Sequence, residues 1–450
     1  MWGRVTVVNT RLITGQHPRA NHRDPTAARA RTAVESTLGL GAVWRTAVVD
    51  LDAVALVSGN AIYAASQLAL VVVIAKLGSA VQVGHFAYAM AMTTPIFILS
   101  QLQLRALQAT DSAGEYSFAE YFSLRVAMTA AAVVVVVALA IMTTEAGPQR
   151  AVVLAMAVAK AIESIADVAH GRLQQIDRLR PIATSFASRG VGGAIAFSLA
   201  FAFARELLPA IAVMTLWWVI SYAVIEGRAV WNGGTMLSGV RIAPVLRLAV
   251  FASPMGVVVA LSSLNLQLPR YFIEASLGAH ALGIYAGLAA IPLIGTTIVV
   301  PICQAASARM ARAYYQDDRA GFRQIAGQLL IVAAAIAAGM AATALVIGDR
   351  LITVIYSAEY AGYRRPFLML IVWGALSCGA AVVGSAVTAA RRIGIQMPIL
   401  AVSTFVTAFA ALMLVPRFGL TGAALAASLG TLVQGLWFAA VLLSLVRKQA

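Results

Sequence analysis

Residues 263–288 read SLNLQLPRYFIEASLGAHALGIYAGL. Asn265, Gln267 and Arg270 interrupt an apolar stretch, Glu274 follows, and a Leu-Gly pair restarts a second apolar stretch at Gly278. The same order of residues stands close to 200 positions earlier, in AKLGSAVQVGHFAYAMAMTTPI over 75–96. Leu77, Gly78, Gly84, Phe86, Ala87 and Pro95 answer to Leu277, Gly278, Gly283, Tyr285, Ala286 and Pro292. Chance similarity between two Ala/Gly-rich hairpins is the competing reading. As a true repeat, the pattern divides the chain into two halves of six spans each. An even number of spans per half gives both halves the same orientation, related by an axis along the membrane normal.

Working outward, the composition fits such a layout. Of 450 residues, 61% are hydrophobic and 11% charged, where a soluble domain carries roughly a quarter charged residues. Apolar windows fall at 51–75, 85–104, 123–143, 151–169, 182–204, 210–225, 248–268, 281–303, 326–347, 366–389, 398–415 and 422–445. Each is near the roughly 20 residues that span a bilayer as a helix, and lipid forces such runs to bond internally. The expected fold is an all-α polytopic membrane protein. It has about 12 transmembrane helices in two pseudo-symmetric six-helix lobes around a central cavity. The expected divisions are a basic disordered cytoplasmic tail over 1–47, a first lobe over 48–236 and a second over 237–450.

The net charge of +15 reads as positive-inside bias rather than as a nucleic-acid surface. With the N-terminus inside, sixteen Arg and Lys residues beyond the tail fall in or beside cytoplasmic segments, from Arg105 to Lys448. Eight fall on the external side: Lys76, Arg150, Arg205, Arg270, Arg350, Arg364, Arg365 and Arg417. Both termini are therefore expected in the cytoplasm. The tail holds seven arginines and no apolar run followed by a small-residue cleavage site, which argues against a secretory signal. An over-early start codon is the other reading of the tail. Cys303 and Cys378 lie in apolar runs without a CxxC spacing and read as small core residues.

No phosphate-binding G-x-x-x-x-G-K-[ST], no H-E-x-x-H and no G-x-S-x-G occurs, so no catalytic residue, metal or cofactor is expected. The polar residues inside the spans carry the chemistry instead. In AVAKAIESIADVAHGRLQQ, Lys160, Glu163, Asp167 and His170 repeat every three or four positions and share one helix face. Intramembrane charges are expensive and face a cavity or a partner; the stripe is open to both readings. Arg189 sits within span five, as a snorkelling residue, an ion-pair partner for Glu163 or Asp167, or a phosphate ligand. Arg270 and Glu274, four apart, are expected to pair near an outer mouth, with Asn265 and Gln267 as donors to hydroxyls. Arg105 and Arg125 belong to a polar hairpin, either a solvated loop or the cytoplasmic rim.

Three stretches, PIFILSQLQLRALQATD (95–111), YSFAEYFSLR (116–125) and NLQLPRYFIEASLGAHALGIYAGL (265–288), resemble bacterial polysaccharide or O-antigen flippases. These belong to the multidrug/oligosaccharidyl-lipid/polysaccharide exporter superfamily. The likeness in layout extends over about 48–447. It implies twelve to fourteen helices in two lobes that move a polyprenyl-diphosphate-linked oligosaccharide across the inner membrane by alternating access. It also implies membrane lipid as a partner, beside glycosyltransferases and a polymerase of the same pathway. By that resemblance Arg270 and Arg105 meet the lipid diphosphate, with Lys160, Glu163 and Arg189 as further cavity residues. Beside the resemblance, Asp167 is expected among the substrate contacts and Arg105, Arg125 and Glu274 as gate residues. The competing functions are a cation-coupled multidrug exporter of the same superfamily, which expects an acidic cavity, and a glycan polymerase or ligase, which expects a large external loop.

Overall fold

The computed structural model describes residues 51–111, 113–227 and 240–447. The tail expected over 1–47, the boundary expected at 236/237, Arg228 and Lys448 lie outside these residues.

Among the described residues every regular element is helical. Nine stretches are long and apolar enough to cross a membrane. Two of them, Ile242–Tyr315 and Gln396–Arg447, turn back once inside, at Gly278 (φ 80°) and at Gly419 (φ 57°). A straight helix of 74 residues would measure about 110 Å, several times the roughly 30 Å of a hydrocarbon core. A backbone at positive φ ends each first arm, and glycine reaches that region without strain. A further helix, Pro148–Gln175, is as long as its neighbours but holds too many charges to count as apolar.

The outcome, among the described residues, is twelve long helices. In chain order, α1 is Leu51–Leu77, α2 Ala80–Gln101, α3 Phe118–Thr143, α4 Pro148–Gln175, α5 Leu179–Ala204 and α6 Leu207–Gly227. The second set is α7 (242–277), α8 (279–315), α9 (Arg319–Ile355), α10 (Arg364–Ala389), α11 (396–418) and α12 (420–447). Serine caps start two of them: Ser79 with Gln82, and Ser117 with Glu120, form reciprocal capping boxes.

The turns after α1, α3, α5, α7 and α9 share one face. There Gln82 reaches the Arg205 carbonyl, Gln149 reaches Glu274, and the Ala80 N–H reaches Glu359. On the opposite face Arg180 pairs with Asp52, and Gln175 donates to the Asp111 carbonyl.

Packing pairs fall mostly within α1–α6 or within α7–α12, with α2 laid along the α7–α8 hairpin as the main bridge between the lobes. Gly84 of α2 lies against the Ala279 carbonyl, and Gly283 of α8 lies against the Ala80 carbonyl, so closely that a Cβ on either glycine would collide with backbone. The contact is reciprocal: the shift of 199 positions that carries Gly84 onto Gly283 also carries Ala80 onto Ala279. Such an exchange is the signature of a two-fold axis between the paired elements. Small residues four apart on both helices let the backbones approach, as in membrane helix pairs generally. The repeat seen in the sequence is therefore the seam at which the lobes meet. Tyr271 of α7 adds a cross-lobe hydrogen bond, donating its hydroxyl to the Ala91 carbonyl of α2.

Candidate functional site

The face of α4 that carries Lys160, Glu163, Asp167 and His170 turns inward and binds the first lobe together. Lys160 Nζ donates to Glu163 Oε2 at 2.7 Å, and the Tyr63 hydroxyl of α1 donates to Oε1 at 2.8 Å. One turn further, Asp167 takes Arg125 of α3 at 2.9 Å and Arg105 at 3.7 Å. Arg105 Nε also donates to Gln174 at 3.3 Å. At the next turn His170 Nε2 meets Glu226 of α6 at 2.8 Å, and Ser185 of α5 donates to the same carboxylate oxygen. The expectation of a polar rim residue fails for Arg125: its side chain has 0% exposure. The physical reason is that α3 begins at Phe118, which carries Arg125 two turns into the helix.

Two wide turns shape the lower part of this ladder. Residues Ser188–Gly192 of α5 and Ala223–Gly227 of α6 are π-helical; such single-turn bulges often occur at functional sites. They place Arg189 and Glu226, both buried, on either side of His170. The loosened turn at 188–189 gives its carbonyls to indoles: Trp217 donates to the Ser188 oxygen at 2.9 Å and Trp218 to the Arg189 oxygen at 3.1 Å. Arg189 is not the ion-pair partner of Glu163 or Asp167. Its guanidinium lies over the Phe186 ring, 5.4 Å from the centroid, and 3.5 Å from His170 Nε2. A hydrogen on Nε2 directed at Glu226 leaves that nitrogen no lone pair for Arg189.

In the second lobe the helix runs unbroken through PRY to the turn at Gly278, so Arg270 stands two turns below the mouth rather than on it. It does not pair with Glu274. Arg270 Nη1 is held by Gln267 Oε1 at 2.7 Å, one turn back, while Glu274 Oε1 accepts from Gln149 of α4 at 2.7 Å. The nearer amide and the helix across the lobe seam outcompete the spacing of four. Asn265 turns away from Arg270 and donates to Ser403 of α11 at 2.9 Å. Ser403 in turn donates to the Gly430 carbonyl.

Arg189 and Arg270 thus share one property. Neither has a carboxylate within salt-bridge distance among the described residues, and both lie about 10 Å or more from the nearer end of their helix. Two residues of the site escaped sequence reasoning. Glu226 had a usable signal, an acid directly at the end of the apolar window 210–225; Tyr63 had none, since buried aromatics are ordinary in such helices.

No protein-family profile matches the chain. It is 23% identical over 378 residues to the capsular polysaccharide biosynthesis protein CapF of Staphylococcus aureus, covering 83% of this chain and 94% of CapF. Among solved structures it resembles an inward-facing multidrug resistance MATE transporter of the MOP superfamily, with TM-score 0.68, 12% identity, and 86% and 96% coverage of the two chains. An outward-facing form of a MATE transporter gives TM-score 0.62 at 13% identity, covering 88% of this chain and 95% of the other. The fold is that of these membrane transporters: twelve helices in two six-helix lobes.

Proposed function

We propose that this chain is a flippase for a polyprenyl-diphosphate-linked oligosaccharide, acting in the bacterial inner membrane with both termini cytoplasmic. One observation carries the reading: the transporter interior holds two arginines, Arg189 and Arg270, that make no salt bridge among the described residues. A lone arginine in a membrane helix costs about 2.5–3.5 kcal/mol on insertion scales. A diphosphate entering between the lobes offsets that cost, and the planar guanidinium fork matches its oxygens two at a time.

The ladder of α4 supports the same polarity. Lys160, Arg105 and Arg125 balance Glu163, Asp167 and Glu226, and Arg189 beside His170 adds a surplus of one positive charge, where an exporter of cationic drugs needs a surplus of acid. The similarity to a capsular polysaccharide biosynthesis protein supports the glycan half of the substrate. Substrate contacts are proposed for Lys160, Glu163, Asp167, Arg189, Asn265, Gln267 and Arg270, with Arg105 and Glu274 at the gates. With the turn face outward, the Gly84–Gly283 seam lies on the outer side, where the lobes would have to part for release.

The test is reconstitution. Vesicles carrying the purified protein and a fluorescent polyprenyl-diphosphate oligosaccharide are treated with a membrane-impermeant quencher. Loss of the protected inner-leaflet fraction, abolished in Arg189→Gln/Arg270→Gln, is the expected result. Protection identical to protein-free vesicles refutes the proposal.

A further inference from the structure

The second lobe holds a partly open cavity of about 240 Å³ between α7, α8, α10 and α12. Its size falls just below the roughly 300–1,000 Å³ of pockets for drug-sized ligands, which suits one or two small rings. Asn265, Thr296, Trp373, Ser377, Thr431 and Gln434 lie along its wall, and no charged side chain does.

The hydrogen bonds already made decide what this wall can still do. Asn265 spends an amide hydrogen on Ser403, and its Oδ1 is buried without a partner. Ser377 donates its hydroxyl to the Trp373 carbonyl and Thr296 donates to the Leu293 carbonyl, both at 2.8 Å, so each oxygen keeps lone pairs but has given away its hydrogen. A buried acceptor left unpaired costs about 1–3 kcal/mol. The cavity therefore asks for a neutral ligand rich in hydroxyl donors. Ser377 and Thr296 have no hydrogen left for a phosphate, which only accepts. Asn265 keeps a second amide hydrogen and Gln434 adds another amide, a mix of donors and acceptors that suits hydroxyl groups. A metal cation finds no carboxylate. Trp373 adds an indole to the wall, the kind of side chain against which the C–H side of a sugar ring packs.

We infer that this cavity is a carbohydrate subsite, which receives a sugar unit of the glycolipid while the arginines hold its diphosphate. The inference rests on the flippase reading for the identity of the whole ligand. The chemistry of the wall stands apart from it. Access is short: Thr296 also lines a larger space, about 450 Å³, between α1 of the first lobe and α8.

The experiment compares binding of undecaprenyl diphosphate, bare and carrying one hexose, N-acetylhexosamine or 6-deoxyhexose, to the full chain in nanodiscs. At least one sugar is expected to tighten binding about tenfold, about 1.4 kcal/mol. That ratio should fall to about one in Trp373→Ala and in the near-isosteric Asn265→Leu and Ser377→Val. The two latter keep the test valid where the tryptophan variant unfolds. If no sugar tightens binding, or the ratio survives in Asn265→Leu and Ser377→Val, the subsite is refuted. Binding of the bare lipid reads the flippase proposal separately: failure of both lipids sinks that reading, whereas bare-lipid binding without a sugar effect sinks only the subsite. A thermal shift with sodium chloride over choline chloride that Asn265→Leu removes, with no sugar effect, gives the cavity to a cation and also overturns the inference.

Discussion

The two lobes share a backbone plan and differ in what they bury. In the first, Glu120, Arg125, His170, Arg189 and Glu226 are buried; in the second, no charged side chain is buried among the described residues. The difference is sharpest at equivalent places. The shift that carries Gly84 onto Gly283 carries Tyr63, which bonds the Lys160–Glu163 pair, onto Ser262, and Ser66 onto Asn265, both on the wall of the neutral cavity. One lobe fills this site with a charged ladder, and the other leaves an acceptor-lined hollow. The seam fixes the symmetry through small residues at the helix crossing, so the polarity behind it is free to diverge.

The largest effect should come from orphaning a charge in the first lobe. Asp167→Leu leaves the fully buried Arg125 without its carboxylate and is expected to destabilise by about 3–5 kcal/mol, read as a lowered unfolding midpoint in detergent. Adding Arg125→Met should recover most of the loss, because an apolar replacement of both partners is often neutral. Failure of the double variant to recover would mean that the pair does more than neutralise itself. The comparison change in the second lobe, Ser403→Ala, frees two neutral groups, the amide of Asn265 and the Gly430 carbonyl, and should cost about 1–3 kcal/mol. An equal loss in the two lobes would erase the comparison.

At the seam, Gly84→Leu drives a side chain into the Ala279 backbone. Transport should fall about tenfold or more at normal protein abundance, and Gly283→Leu should do the same, since the contact is reciprocal. An effect in one but not the other would break the two-fold relation. The smallest change expected is Arg270→Lys, a severalfold loss of glycan export in a strain lacking its own copy, with Arg270→Ala worse. A point charge cannot reproduce the planar fork; full export by both variants removes Arg270 from the phosphate role.

Much of this was legible in the chain. The Leu-Gly repeat located the seam, hydropathy located the helices, and the spacing of Lys160, Glu163, Asp167 and His170 located the ladder. Spacing failed where it left the choice of partner open. Arg270 and Glu274 could meet one helical turn apart, but Gln267 and Gln149 stand closer in the folded chain. Arg125 was misread because the start of α3, set by the Ser117 capping box, decides its depth. The hollow beside Trp373 left no trace, because a cavity is defined by what four helices from distant parts of the sequence do not fill.

The central claim is that this fold has been turned toward an anionic glycolipid rather than a cationic drug. Equilibrium binding of undecaprenyl diphosphate and of tetraphenylphosphonium to the full chain in nanodiscs tests it most directly. The account predicts that the diphosphate binds at least tenfold tighter than the cation and that Arg189→Gln/Arg270→Gln removes this preference. Tighter binding of tetraphenylphosphonium, or diphosphate affinity untouched by the double variant, would contradict it.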